Sequence, residues 1–236
     1  LTVLNRLSGA YKSMKLIDRN YSDKNETVLI NLKVEDTDTR LQVEVPDFLG
    51  ENFRDLVEMK ESELVSEWLK DTDTLVYFMN EVTPPEFEDD HGPEDDESPM
   101  PAKEVPQFSI KTISAVAMNI MVLKCLLSKK SFKKVVIVLS WWDQKTNNGT
   151  MKNNPLEYLK DNSPALFNFI QHHISNFEII GLSAQGQEYP KEDQGNYEEA
   201  KKEIKAKMRA GKRSFVEIGD KIIHDLSLPL YLLIKE

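Results

Sequence analysis

The chain has 236 residues, 40 % of them hydrophobic and 30 % charged, with a formal net charge of −10. This length can bury one sizeable core, so residues 1–236 read as a single domain. No apolar run reaches the roughly 18 residues a membrane helix needs, and no N-terminal stretch resembles a signal peptide; a cytoplasmic protein without a membrane partner is expected.

The opening "LTVLNRLSGAYKSM" has the apolar spacing of a helix already under way, so a segment upstream of Leu1 is expected. "ETVLINLKV" (26–34) and "RLQVEV" (40–45) alternate at period two around "EDTDT" and predict an antiparallel hairpin. "ENFRDLVEMKESELVSEWL" (51–69) has helical spacing, and "TLVYFMN" (74–80) is an apolar run suited to a strand covered on both faces. Next comes "EFEDDHGPEDDE" (86–97), whose eight acids supply all but about two of the ten net negative charges. Like charge mixed with Pro and Gly cannot bury apolar surface, so 83–105 reads as a disordered acidic insertion.

A helix is predicted over about 108–128. It carries the single cysteine, Cys125, in an apolar run where a plain core residue is expected. Then follow a buried strand at 135–139, a polar loop, a helix from Pro155 to about 174, and a short buried strand at 177–183. "YEEAKKEIKAKMRAGKR" (197–213) mixes charge signs as a solvated helix does, and Ser227 and Pro229 suit the start of a last helix. His172 and His173 are adjacent, share no helical face and make a poor metal pair. No Lys/Arg stripe interleaved with aromatics appears, which argues against a nucleic-acid partner.

Strands alternating with helices predict an α/β sheet covered on both faces, and such sheets bind ligands beyond the carboxyl ends of their strands. Three loops fall there. Asp47 to Gly50, "DFLG", fits D-x-x-G: an Asp at a strand end can hold a metal-bound water, and a Gly can offer its N–H to a terminal phosphate. A plain strand-to-helix turn satisfies the same letters, and the pattern recurs inside the acidic run.

The second loop is "SWWD". Asp143 can accept two parallel hydrogen bonds from the N–H pair of a guanine edge, a pair adenine lacks. A flat neighbour can cover the purine face. Two core tryptophans beside a solvated Asp is the alternative. The third loop is "SAQG", Ser183 to Gly186, whose small residues can bring N–H groups against a ring carbonyl. The order of the three loops favours a nucleotide held across one sheet.

With these motifs the chain resembles the translation-factor and Ras-like class of P-loop GTPases, and among them the bacterial double-GTPase type domains, some of which occur in prokaryotic conflict systems. The likeness spans nearly the whole chain: "VEVPDFLGENFRDL" resembles switch II, "VVIVLSWWD" the strand and base-reading loop, "EIIGLSAQG" the last guanine-contacting loop, and "DLSLPLYLLIKE" the closing helix. It implies a P-loop NTPase-like three-layer sandwich, with a mostly parallel sheet and one antiparallel hairpin strand. It also implies GTP/GDP and Mg²⁺ as ligands. Asp143 would read guanine, Ser183 and Ala184 would contact its carbonyl, Gly50 would bind the γ-phosphate, and Asp47 and Thr27 would support Mg²⁺. A protein partner or a second copy would engage through the switch segments.

Three departures bear on activity. G-x-x-x-x-G-K-[ST] does not occur in the 236 residues, and the expectation is that the first strand and this loop lie upstream of Leu1. The usual Asn-Lys-x-Asp is Ser140-Trp141-Trp142-Asp143, so Trp141 stands where a lysine stem covers the purine. Glu51 follows Gly50, where a Gln orients the attacking water in Ras-like enzymes. The expected function is therefore a Mg²⁺-dependent GTPase switch with Glu51 at the catalytic position. A degenerate, non-catalytic interaction domain is the alternative, and an ATPase a third reading that Asp143 opposes.

Overall fold

A computed structural model of the chain describes residues 26–33, 40–47, 55–58, 63–83, 113–146, 154–190, 195–207 and 210–234. The predicted acidic insertion, Gly50, Glu51 and the opening helix lie outside the described residues, apart from Thr83.

The architecture is α/β. Strands β1 (Glu26–Lys33) and β2 (Arg40–Asp47) pair antiparallel over their full lengths. A second sheet of five strands has the order β3 (Thr74–Met79), β4 (Lys134–Ser140), β5 (Phe177–Ser183), β6 (Phe215–Ile218), β7 (Lys221–Ile223). The β3–β4 and β4–β5 pairs are parallel, while β5–β6 and β6–β7 are antiparallel.

The expectation of a mostly parallel sheet with one antiparallel hairpin strand is corrected, since the five-stranded sheet is mixed, with two parallel and two antiparallel pairs. The 26–47 hairpin forms a sheet of its own, and the antiparallel strands of the main sheet come from 215–223 instead. At four and three residues, β6 and β7 are too short for a period to register. They are joined by Gly219-Asp220, with Gly219 at φ 52, a two-residue hairpin signal that was legible.

β4 is the centre of the fold because its side chains alternate between two cores. Val135, Ile137 and Leu139 join a large cluster that includes residues of helices α1 (Glu63–Lys70), α2 (Ala115–Lys129), α4 (Pro155–Asn162) and α5 (Pro164–His173). Val136 and Val138 join Ile180, Val216 and Leu232, the last from helix α8 (Leu228–Ile234). All five β4 residues from Val135 to Leu139 are 0 % exposed, each worth about 1.5–3 kcal/mol of apolar burial.

The predicted 155–174 helix is two helices. Asn154 caps α4 by accepting from Glu157 N at 3.0 Å, and α4 ends at Asn162 because Pro164 has no N–H to continue the ladder. Ser114 caps α2 by accepting from Ala117 N. At α8 the capping role falls to Asp225, which accepts from both the backbone N–H and the hydroxyl of Ser227. The 197–213 segment forms α6 (Tyr197–Lys207) and α7 (Ala210–Arg213), and it is not wholly solvated: Ile204 is buried against Tyr189. Among the described residues no helix is long and apolar enough to cross a membrane.

Candidate functional site

β4 and β5 run parallel and end side by side, Ser140 opposite Leu182, so the loops that follow them emerge together at the carboxyl edge of the sheet. After β4 the chain turns sharply. Trp141 is left-handed at φ 55 and ψ 41, the one non-glycine residue with positive φ among the described residues. A bulky side chain there costs about 1–2 kcal/mol. The turn sends the paired tryptophans in opposite directions: Trp141 is 58 % exposed and Trp142 is 0 % exposed.

A one-turn helix, α3 (Trp142–Lys145), follows. Its carbonyls are closed by Thr146, whose N–H and hydroxyl both donate to Trp142 O, at 3.0 and 2.9 Å. This turn places Asp143 against the end of β5. Ser183 Oγ donates to Asp143 Oδ1 at 2.5 Å and accepts from Gly186 N at 2.8 Å. Asp143 and Ser183 are both buried, at 6 % and 1 % exposure. A carboxylate has about four acceptor positions. The bond from Ser183 therefore leaves capacity for a further pair of donors.

Gly186 closes this loop at φ 80, and a side chain there would strike Arg213 O at 2.2 Å. The Ser183–Gly186 turn is thus backed by α7. Ala184, between them, is exposed.

Two expected site residues converge, Asp143 and Ser183, with Trp141 and Ala184 on the same two loops. The other four are less fully described. Backbone register pairs Thr27 with Pro46 and Glu26 with Asp47, so Thr27 and Asp47 lie one ladder position apart. Gly50 and Glu51 lie outside the described residues. Among the described residues no three His, Cys, Asp or Glu side chains gather as a metal site.

The matching family model is Double-GTPase 1, over residues 1–233. The chain belongs to the Double-GTPase 1 family. No curated protein and no solved structure matches it. As a Double-GTPase 1 chain it is a guanine-nucleotide-binding, GTPase-family domain.

An open depression in this Double-GTPase 1 domain lies beyond β3 and β4, lined by Asn80, Glu81, Thr83, Lys145 and Tyr158 among others. None of Trp141, Asp143, Ser183 and Ala184 lines it. The convergence of Asp143 and Ser183 is thus separate from the lining of this hollow. Lys145 ties the two together by donating to the Asn80 carbonyl. Burial holds its ammonium below the usual lysine range, against the opposing pull of Asp143 and Glu81.

Sequence reasoning missed three contributors. Lys145 carries no motif of its own, and neither does Glu217, which accepts from Trp142 Nε1 at 2.6 Å. Gly181 did carry a signal, since a glycine inside an apolar strand marks close approach of another group.

Proposed function

We propose that this domain binds GTP and GDP through the loops after β4 and β5 and hydrolyses GTP as a molecular switch. The observation that supports it most directly is the buried Asp143–Ser183 contact at the carboxyl ends of two adjacent parallel strands. In this reading Asp143 accepts the paired N–H donors of guanine, and the Ser183–Ala184 turn meets the ring carbonyl. Trp141 lies over the purine face, its exposure on a turned loop leaving the indole available for stacking.

The phosphate side is carried by the 26–51 segment of a P-loop NTPase-like three-layer fold. Gly50 offers its N–H to the γ-phosphate. Thr27 and Asp47 would be the residues to hold Mg²⁺, which would neutralise phosphate charge when bound. Glu51 stands beside the attacking water. A carboxylate accepts from that water but cannot donate, and it adds charge next to an anionic transition state, so intrinsic hydrolysis is slow or depends on a partner. Ordering of the segments around Thr27 and Asp47 reports which nucleotide is bound to a protein partner or second copy, with a bacterial conflict or defence system as the setting.

The test is a calorimetric titration of non-hydrolysable GTP and ATP analogues into the intact protein and Asp143→Ala. The parent should prefer guanine, and the variant should bind the guanine analogue about 10- to 100-fold more weakly with little change for adenine, the loss of one or two hydrogen bonds to a charged acceptor. Equal affinity in the parent overturns the base assignment, and a preference for adenine favours an ATPase. Guanine preference together with no phosphate released from GTP itself in a parallel turnover assay favours a non-catalytic interaction domain. A G-x-x-x-x-G-K-[ST] encoded upstream of Leu1 would support hydrolysis.

A further inference from the structure

Three observations meet at Trp142. Its indole lies over Gly181 so closely that a Cβ on that glycine would stand 2.3, 2.4 and 2.6 Å from ring atoms Cδ2, Cγ and Cδ1. Its Nε1–H donates to Glu217 Oε2 at 2.6 Å. Its remaining edge meets the Tyr158 ring, with centroids 5.3 Å apart and planes at 84°. The first two are linked by register: Gly181 and Glu217 are direct partners in the β5–β6 ladder, and residues opposite each other in an antiparallel pair point to the same face. The missing side chain of Gly181 makes the slot, and the carboxylate next to it fixes the depth and rotation of the indole.

We infer that Trp142 is a positioning residue for base recognition: held by Glu217 and admitted by Gly181, it sets where the Asp143 carboxylate stands. This rests on the reading that Asp143 contacts guanine. Trp142 and Asp143 are consecutive in a one-turn helix, so rotation or lift of the indole is passed to Asp143 through the backbone. The Trp142 carbonyl is also held, by the N–H and hydroxyl of Thr146. The bond from Ser183 Oγ to Asp143 Oδ1 at 2.5 Å is made in the arrangement that the indole anchor holds. The left-handed Trp141 is the cost of the device, since the strand must reverse direction within one residue to drop Trp142 into the slot.

The experiment compares GDP and ADP binding to the intact protein by calorimetry in the parent, Trp142→Phe, Glu217→Ala and Glu217→Gln, with a thermal melt of each. The quantity read is the ratio of guanine to adenine affinity. A merely structural loss weakens both nucleotides together and leaves the ratio alone, because the phosphate contacts are shared. Trp142→Phe and Glu217→Ala should lower the ratio by about tenfold. Glu217→Gln, which keeps an acceptor for the indole N–H, should restore most of it. Should Trp142→Phe not fold, the Glu217 pair decides, since both variants keep the indole. A parent that prefers guanine with an unchanged ratio in Glu217→Ala and in folded Trp142→Phe overturns the inference alone. A parent with no guanine preference overturns the base reading and this inference with it.

Discussion

Asp143 and Ser183 are almost wholly buried, while Leu29 and Val45 on the hairpin are 57 % and 45 % exposed. The β4–β5 end is braced by core clusters on both faces, and Ser183, Asp143 and Trp142 each make a side-chain hydrogen bond there. The β1–β2 hairpin pairs only with itself among the described strands, and none of its described side chains joins a core cluster. A two-stranded hairpin without a covered face is marginal by itself. Under the proposed function this difference is a division of labour, with the base loops built into the core and the hairpin bearing Thr27 and Asp47 outside the core clusters of the described residues.

The most damaging way to break the comparison is at Gly181. In Gly181→Ala the new methyl overlaps ring atoms of the buried Trp142 indole, so the ring or the strand must move. Overpacking of this kind costs about 1–3 kcal/mol or more. Urea unfolding should show that loss, and guanine affinity should fall with it. Wild-type stability in this variant would mean that the slot is looser than its geometry implies.

How much of this was legible beforehand follows from the range of each interaction. β4 could be read because five consecutive apolar, mostly β-branched residues fit a strand buried on both sides. Asp143 and Ser183 could be singled out because each falls just after such a strand, and position gives a short motif its meaning. Their direct contact joins residues 40 apart, and it became visible only once β4 and β5 were parallel neighbours. Glu217 was illegible for a stronger reason: it lies 75 residues from Trp142 on a strand too short to detect, and only the β5–β6 register brings it to the indole. The hairpin was read correctly as a hairpin but assigned to the wrong sheet, because alternation reports an exposed face and not which strand lies alongside.

A second prediction sharpens the rigid side of the comparison through pH. Burial pushes the Tyr77 hydroxyl well above the usual tyrosine range, and it donates to Asn119 Oδ1 at 3.0 Å. The folded chain keeps this proton where the unfolded chain loses it, at a pH of about 10. Above that pH the unfolded state binds fewer protons, so stability falls as pH rises, by about 1.4 kcal/mol per pH unit. Below it the contribution is fully present. Tyr77→Phe should cost about 1 kcal/mol at neutral pH through the lost hydrogen bond and should flatten the alkaline slope. An unaltered slope in chemical denaturation between pH 9 and 11 would show that the proton sits elsewhere.

The smallest expected effect tests the flexible side. Leu29→Ser changes an exposed side chain on a strand that packs on no described core, so global stability should shift by less than about 0.5 kcal/mol. The informative measurement is hydrogen exchange, where local opening and global unfolding separate. Amides of β1 and β2 should exchange much faster than those of β4, and a GTP analogue with Mg²⁺ should slow the hairpin while leaving β4 and β5 unchanged. Leu29→Ser should speed hairpin exchange further without touching β4. If hairpin amides in the nucleotide-free protein are already protected to the limit of global unfolding, the hairpin belongs to the rigid body and the proposed switch must lie elsewhere. If protection rises equally in both regions on binding, the base-reading loops are not preformed, and the indole anchor at Trp142 forms only with the nucleotide in place.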